Sequence, residues 1–219
     1  MGAGAGQVPE EIMARTPVQA RRRALVAAAL RVVAARGLHE ASTRAIVAEA
    51  GMSLASFHYA FESRDQLIDR LITEVMENEE KAIIPSNPES LTLAELLNEG
   101  LMGYVANLRA DPPHEQAMLE LTQYALRTRR PLALAQYEQY NRLALAMLNL
   151  AAEHTGVTWS VPVSTVARLL IALTDGLTLS WLVDRDDPGL DAAVAAAATA
   201  LASLAEPGAD PETPAGDGS

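Results

Sequence analysis

The sequence predicts an all-α protein of about nine helices, in which a small amino-terminal three-helix head precedes a larger helical body. Three observations lead there. Alanine and leucine dominate while aromatics are only 4% of the 219 residues, a composition that favours helix over sheet. Apolar residues recur at spacings of three and four in one segment after another, and no stretch shows a convincing strand pattern. Glycine, proline and Ser/Thr caps fall where such helices should start and stop.

Each element follows in order. From Val18 to Arg36 the residues Leu25, Ala28, Ala29, Val32 and Val33 form one apolar stripe, and Gly37 stops the helix. Ser42 or Thr43 caps a second helix carrying Ile46, Val47 and Ala50, which ends at Gly51. Ser53 caps a third from Leu54 to about Tyr59, too short to be stable alone. Ser63 with Gln66 makes a capping-box pattern for a fourth, buried through Leu67, Ile68, Leu71, Ile72 and Val75 and running to about Ile84. Thr92 with Glu95 opens a fifth that ends near Arg109. A sixth spans roughly Pro113 to Arg127, and a seventh runs from about Pro131 to His154 and closes on Gly156. The eighth is expected from about Ser164 to Asp184 and the ninth from Pro188 to Ala205. Residues 1–14 are Gly/Ala-rich and residues 206–219 lack any large apolar side chain, so both ends are expected to be disordered. The domain reading is a head over 15–62 and a body over 63–205.

Composition excludes several function classes. Without cysteine there are no disulfides, thiolate metal sites or cysteine nucleophiles. His39, His58, His114 and His154 lie far apart and make no metal-ligand spacing. No hydrolase arrangement and no phosphate-cradling glycine loop is present, so neither catalytic residues nor a cofactor are expected. No uninterrupted apolar run approaches the roughly 18 residues of a membrane span, and the amino terminus lacks a secretory pattern. A cytoplasmic location is expected.

The net charge of -11 argues against a nucleic-acid partner until its distribution is read. From Arg15 to Phe61, seven arginines stand against Glu40 and Glu49, a balance of +5; from Glu62 onward the balance is -14. A basic segment on an acidic body is the asymmetry expected where one end meets an anion. The three short helices, joined by a Gly37 turn and a Gly51–Met52 turn, make a helix-turn-helix unit whose third helix can enter the major groove. On this reading Thr43 and Arg44 start the second helix beside the DNA backbone. Some of Arg21, Arg22 and Arg23 also reach phosphate.

The run STRAIVAEAGMSLASFHYAFESRDQL, from Ser42 to Leu67, resembles the DNA-binding module of TetR-family repressors. Ala48, Ala50, Gly51, Ser53, Tyr59, Phe61, Ser63 and Leu67 fall on family positions or near neighbours. The resemblance implies a homodimer whose heads bind a palindromic operator, and a helical body that takes a small molecule and releases DNA. DNA contacts are then expected at Arg21, Arg22, Arg23, Thr43, Arg44, Ser53, Leu54, Ala55, Ser56, His58, Tyr59 and Arg64. Phe57 and Phe61, four residues apart, belong to the head's core, Ser53 is a cap first, and Arg31 and Arg36 are solvated or ion-paired.

Departures from the family pattern matter. Leu54 and Ala55 stand where the family often has a basic residue and a glycine, and the usual Leu-Tyr-His-Tyr-Phe run reads Phe57, His58, Tyr59, Ala60, Phe61. With no Arg, Lys, Asn or Gln on this helix, strong bidentate base recognition is missing. Apolar and hydroxyl contacts, Arg44 and its neighbours, or DNA shape must supply specificity. These departures and the overall acidity motivate a second reading: a helical small-molecule-binding or interaction protein that has lost sequence-specific DNA binding.

In the body, VARLLIALTDGLTLSWLV and LDAAVAAAATALASLA are apolar nearly all round and must be buried, by a symmetric four-helix contact between two copies or as monomer core. ALTDGLTLSWL also resembles a stretch near the end of many TetR-family bodies. Candidate ligand-lining residues are Met102, Met118, Tyr124, Tyr137, Met147, Asp175 and Trp181, apolar walls with a few polar groups. Asp175 inside an apolar helix needs a partner, and an arginine, a ligand donor or a backbone group across the dimer would each serve.

Overall fold

The computed structural model describes residues 18–79 and 91–208. The expected amino-terminal arm, the end of the fourth helix at Ile84 and the tail beyond 208 therefore lie outside the described residues. Among the described residues nine α-helices follow one another: α1 Val18–Arg36, α2 Thr43–Glu49, α3 Leu54–Ala60, α4 Arg64–Glu79, α5 Leu93–Ala110, α6 Pro112–Thr128, α7 Arg130–Thr155, α8 Val163–Asp184 and α9 Asp187–Ala202.

Local chemistry accounts for their ends. Gly37 and Gly51 take φ of 81° and 63°, the left-handed region where a Cβ is strained, and so turn the chain after α1 and α2. A short 3-10 turn, Leu38–Glu40, bridges Gly37 to α2. Ser42 caps α2 by accepting from the Ala45 amide, and Ser53 caps α3 by accepting from the Ser56 amide, both at 3.2 Å. At α4, Ser63 accepts from the Gln66 amide, while Gln66 reaches back to the Glu62 amide rather than to that of Ser63. The α5 box closes on itself: Thr92 accepts from the Glu95 amide and Glu95 accepts from the Thr92 amide at 2.8 Å. That bond from Thr92 holds the Glu95 carboxyl below its ordinary value.

The absence of strands was an overstatement. Val157–Trp159 and Ala205–Pro207 form a short antiparallel pair with Thr158 opposite Glu206. It begins where Gly156 takes φ of 68° and is closed by the Gly208 amide donating to the Gly156 carbonyl at 2.9 Å. So α9 ends at Ala202 rather than Ala205, and the first residues of the expected disordered tail are paired.

The described residues divide into two compact units, one drawn from Met1–Lys81 with Leu108–Tyr137, the other from Ala82–Asn107 with Glu138–Ser219. In the first, α1 packs against α2, α3, α4 and α6. Its core gathers Leu25, Val33, Ile46, Phe57, Phe61, Leu67 and Leu71 with Met118, Leu121 and Ala125 of α6. The compact unit thus extends beyond residue 62 and takes in α6. Arg129, the α6 C-cap, donates Nε to Asp69 at 3.1 Å, and this hydrogen bond raises the guanidinium above its ordinary pKa.

In the second unit α8 packs on α9. The α8 C-cap, Arg185, has φ of 57°, and its guanidinium lies 4.4 Å from the Trp181 ring centre. Stacking of that kind, about 0.5–2 kcal/mol, offsets the strain of a left-handed non-glycine residue. Over 18 residues α8 reaches a mean hydropathy of 1.5, long and apolar enough to cross a membrane by length and composition alone, although Arg168 and Asp175 interrupt it. Only 28% of that window is buried within the chain, and Leu169, Leu179 and Val183 stand open.

Two outcomes follow from this packing. Phe57→Ala, which empties a site only 1% exposed, lowers unfolding free energy by about 3–5 kcal/mol in urea denaturation. The folded Glu95 pKa is lowered, so its contribution is present above the ordinary glutamate range and is lost as pH falls through the folded value. Amide exchange over residues 92–96 therefore accelerates on acidification beyond its intrinsic pH dependence in the wild type, and not in Glu95→Gln.

Candidate nucleic-acid interface

The two-faced character of α3 decides what this surface offers. Its seven residues bury Phe57 and Ala60, while Leu54, Ala55, His58 and Tyr59 are exposed and Ser56 is half-buried. Tyr59 is 66% exposed and Leu54 44%, so a hydroxyl and an apolar side chain point outward on the same short helix. The Ser53 and Ser56 hydroxyls lie 3.1 Å apart, so the cap also orders the start of that face. His58 meets the buried Phe57 ring edge-on at 5.5 Å, which fixes its imidazole beside the core while leaving it accessible.

Beside it, α2 presents Thr43, half-buried, and Arg44, exposed and without an ion pair or hydrogen bond to a described residue. The starts of α2 and α3, joined by Gly51 and by the Met52 amide donating to the Val47 carbonyl at 2.8 Å, supply the amide-rich ends that favour phosphate oxygens.

The arginines divide differently from expectation. Arg21 is 6% exposed with its guanidinium 4.9 Å from the Tyr59 ring centre, and Arg22 donates Nε to the Ala60 carbonyl at 2.9 Å while lying over Phe61. Both brace the carboxyl end of α3, where free carbonyls attract cations. Arg23 remains exposed and lines a cleft of about 590 Å³ with Arg22 and Arg70. Arg31 is ion-paired with Glu49 at 2.6 Å, and Arg36 is exposed. Arg64, expected at phosphate, instead turns inward, donating Nε to Ala41 at 2.6 Å and Nη2 to Leu38 at 2.7 Å. The Leu38 carbonyl also accepts from the Ala41 amide at 3.3 Å, so Arg64 adds a second, charged donor there and ties the turn to the Ala41 carbonyl.

The residues expected to line a ligand site are spread over both units. Met118 is 7% exposed within the first unit's core, and Tyr124 packs against the same cluster, so Met118 is an ordinary core residue. Tyr137 is 38% exposed. In the second unit Met102 and Met147 are half-buried, and Asp175 is half-buried with a partner in the fold. Trp181 is committed to the α8–α9 corner, its indole N–H donating to Asp187 at 2.8 Å. Sequence reasoning passed over buried polar residues in each unit, Gln136 in the first and Thr178 and Gln139 in the second. Thr178 is 3% exposed and shares a 2.6 Å hydroxyl bond with Tyr104, and Gln136 and Gln139 are 4% and 6% exposed. Polar residues on otherwise apolar stripes were the available signal, masked by attention to aromatics and methionines. Among the described residues no three His, Asp or Glu side chains gather as a metal would need.

A basic three-helix head with a short exposed reading helix, on a helical body, is the architecture of a helix-turn-helix DNA-binding regulator. Residues 25–71 match the family described as bacterial regulatory proteins, tetR family, and residues 93–206 match the BetI-type transcriptional repressor carboxy-terminal domain. The chain belongs to the TetR family. It is 28% identical over 170 residues to the HTH-type nicotine-responsive transcriptional repressor HdnoR of Paenarthrobacter nicotinovorans, covering 77% of this chain and 87% of that protein. The multidrug binding protein EbrR, solved with imidazole, is 28% identical with a TM-score of 0.58, covering 83% of this chain and 94% of that one. A Streptomyces coelicolor tetR-family regulator shares the fold at 18% identity with a TM-score of 0.68, covering 86% of this chain and 82% of that one. The protein is a DNA-binding transcriptional regulator.

Two groups of substitutions separate contact from support. Arg44→Ala weakens DNA binding and reduces the salt slope by about 1, and Tyr59→Phe weakens it while keeping the ring over Arg21; both leave the melting temperature nearly unchanged. Arg22→Ala instead lowers folding stability by about 1–3 kcal/mol, seen in denaturant titration, because the Ala60 carbonyl loses its charged donor.

Proposed function

We propose that this regulator is a homodimeric repressor that α8 and α9 hold together, that reads a palindromic operator with α3 and α2, and that a small organic molecule releases. The observation that carries the dimer is the uncovered apolar face of α8, where Leu179 is 55% and Val183 80% exposed in a single chain. A second copy related by a twofold axis would cover both faces at once. The protein would then work in the cytoplasm, where its DNA partner lies, and carry no enzymatic step.

On DNA, Arg44, Thr43 and the α2 and α3 starts would hold phosphates, while Leu54, Ala55, Ser56, His58 and Tyr59 face the groove. An apolar Leu54 suits thymine methyls, and the remaining specificity would rest on hydroxyl contacts and DNA shape. Charge supports this orientation, since the acidic body would be repelled from DNA while the basic head is attracted.

For the effector, the acidic body and Asp175 favour a nitrogen-containing, positively polarised aromatic molecule. The relatives support this: one is named nicotine-responsive, and EbrR is solved with imidazole, ethidium and malachite green. A ligand that binds better to the DNA-free arrangement shifts the population away from DNA.

The test is fluorescence anisotropy with duplexes enriched from a random pool, titrated with salt and then with nicotine, ethidium or malachite green. Salt-sensitive binding reversed by at least one of these probes is expected. A folded protein that enriches no duplex sinks the DNA assignment, and one that binds DNA but responds to none of the three sinks the ligand class. Leu179→Glu with Val183→Asp is expected to give monomers in sedimentation and to weaken binding to a palindromic duplex by about 100-fold or more.

A further inference from the structure

We propose that Glu120 and Arg64 are positioning residues which clamp the Leu38 backbone, one at its N–H and the other at its carbonyl, and that through this clamp the placement of α6 sets the DNA-reading helices. The proposal rests on the DNA-reading assignment above and names the device that would regulate it.

Both backbone polar groups of Leu38 are held by charged side chains. Its N–H donates to the Glu120 carboxylate of α6 at 2.5 Å. Its carbonyl accepts from Arg64 of α4 at 2.7 Å, and the same guanidinium takes the Ala41 carbonyl at 2.6 Å. Charge-assisted bonds are about twice as strong as neutral ones, so this turn is held more firmly than its length of three residues would allow.

The turn leads directly into the DNA-facing helix. The Ser42 amide donates to the Glu40 carbonyl at 2.7 Å, and Ser42 is the cap of α2, whose first residues are Thr43 and Arg44. Ala41, with no exposed surface, is wedged between clamp and cap. A displacement of Glu120 therefore reaches the start of α2 within four residues.

α6 is tied to the same body a second time. Arg129 at its end bonds Asp69 at 3.1 Å and reaches Asp65 at 3.4 Å, on the first turns of the helix that carries Arg64. Glu120, Leu38, Arg64 and then Asp65, Asp69 and Arg129 close a ring of polar ties around the apolar contact of Met118, Leu121 and Ala125 with α1. Gly37 fits the same device. A Cβ there would stand 3.3 Å from both Glu120 oxygens, at a φ of 81° that strains any side chain. The close approach that the clamp needs is built into the turn.

The experiment uses the full chain in two arms. In amide exchange without DNA, Glu120→Ala is expected to accelerate exchange over residues 37–42 by about 10–100-fold, and Glu120→Gln, which keeps an acceptor, by about 3–10-fold. In anisotropy with the enriched duplex, Glu120→Ala is expected to weaken binding about tenfold or more with the salt slope unchanged, since no phosphate contact is removed. Glu120→Gln recovers most of that loss. Arg64→Ala is expected to match Glu120→Ala in both arms.

Unchanged exchange at 37–42 in folded Glu120→Ala overturns the clamp. Faster exchange with unaltered DNA affinity overturns its link to the reading helices, and a slope reduced by about 1 in Arg64→Ala returns Arg64 to phosphate contact. If Glu120→Ala does not fold, Glu120→Gln carries the exchange arm. Failure to enrich any duplex overturns the DNA reading itself, while exchange still decides the clamp.

Discussion

A helix of seven residues cannot hold itself in water, so everything the head does depends on the apolar face that α3 buries. Phe57 and Ala60 point into a core shared with α1, α2, α4 and α6, and Phe61 closes it just past the helix end. That anchoring frees the opposite face, with Tyr59 and Leu54, to meet a partner. The arginines of α1 serve the same end. Arg22 takes the carbonyl at the end of α3 and the Arg21 guanidinium lies against the Tyr59 ring, so both charges stabilise α3, while Arg44 and Arg23 stay exposed.

The core also joins the three head helices to α4 and α6. Leu25, Val33 and Ile46 leave a face that Met118, Leu121 and Ala125 of α6 complete. α6 lies between α5 and α7 in the middle of the sequence yet belongs to the same compact unit as α1, α2 and α3. Close-packed contacts transmit small shifts in place of absorbing them. The polar ties at Leu38 and Asp69 add direction to that packing.

The second unit presents the complementary case. Along α8, apolar residues exceed what one chain can cover, and the excess is concentrated toward its end at Leu179 and Val183. At the same end Trp181, Asp187 and Arg185 lock the corner into α9, fixing the angle between two helices of the proposed pairing surface. Polar groups inside, Thr178 with Tyr104 and the buried Gln139, give the unit hydrogen-bonding capacity that an apolar core alone would lack.

The sequence by itself determined the helical class, the caps at Ser53 and Thr92, a cap at Ser42 or Thr43, the glycine turns at Gly37 and Gly51, and the two faces of α3. These are set by interactions within a few residues, so spacing alone reveals them. Tertiary structure decided the rest. Arg64 and Arg22 read as surface cations until the carbonyls of Leu38, Ala41 and Ala60 are brought to them from 23 to 38 residues away. Met118 reads as a pocket residue until α6 lies on α1; Ala205 reads as the end of a helix and residues 206 and 207 as a loose tail until they meet Val157–Trp159. Glu120 carries no local signal at all; its role exists only because the fold places its carboxylate against an amide 82 residues earlier.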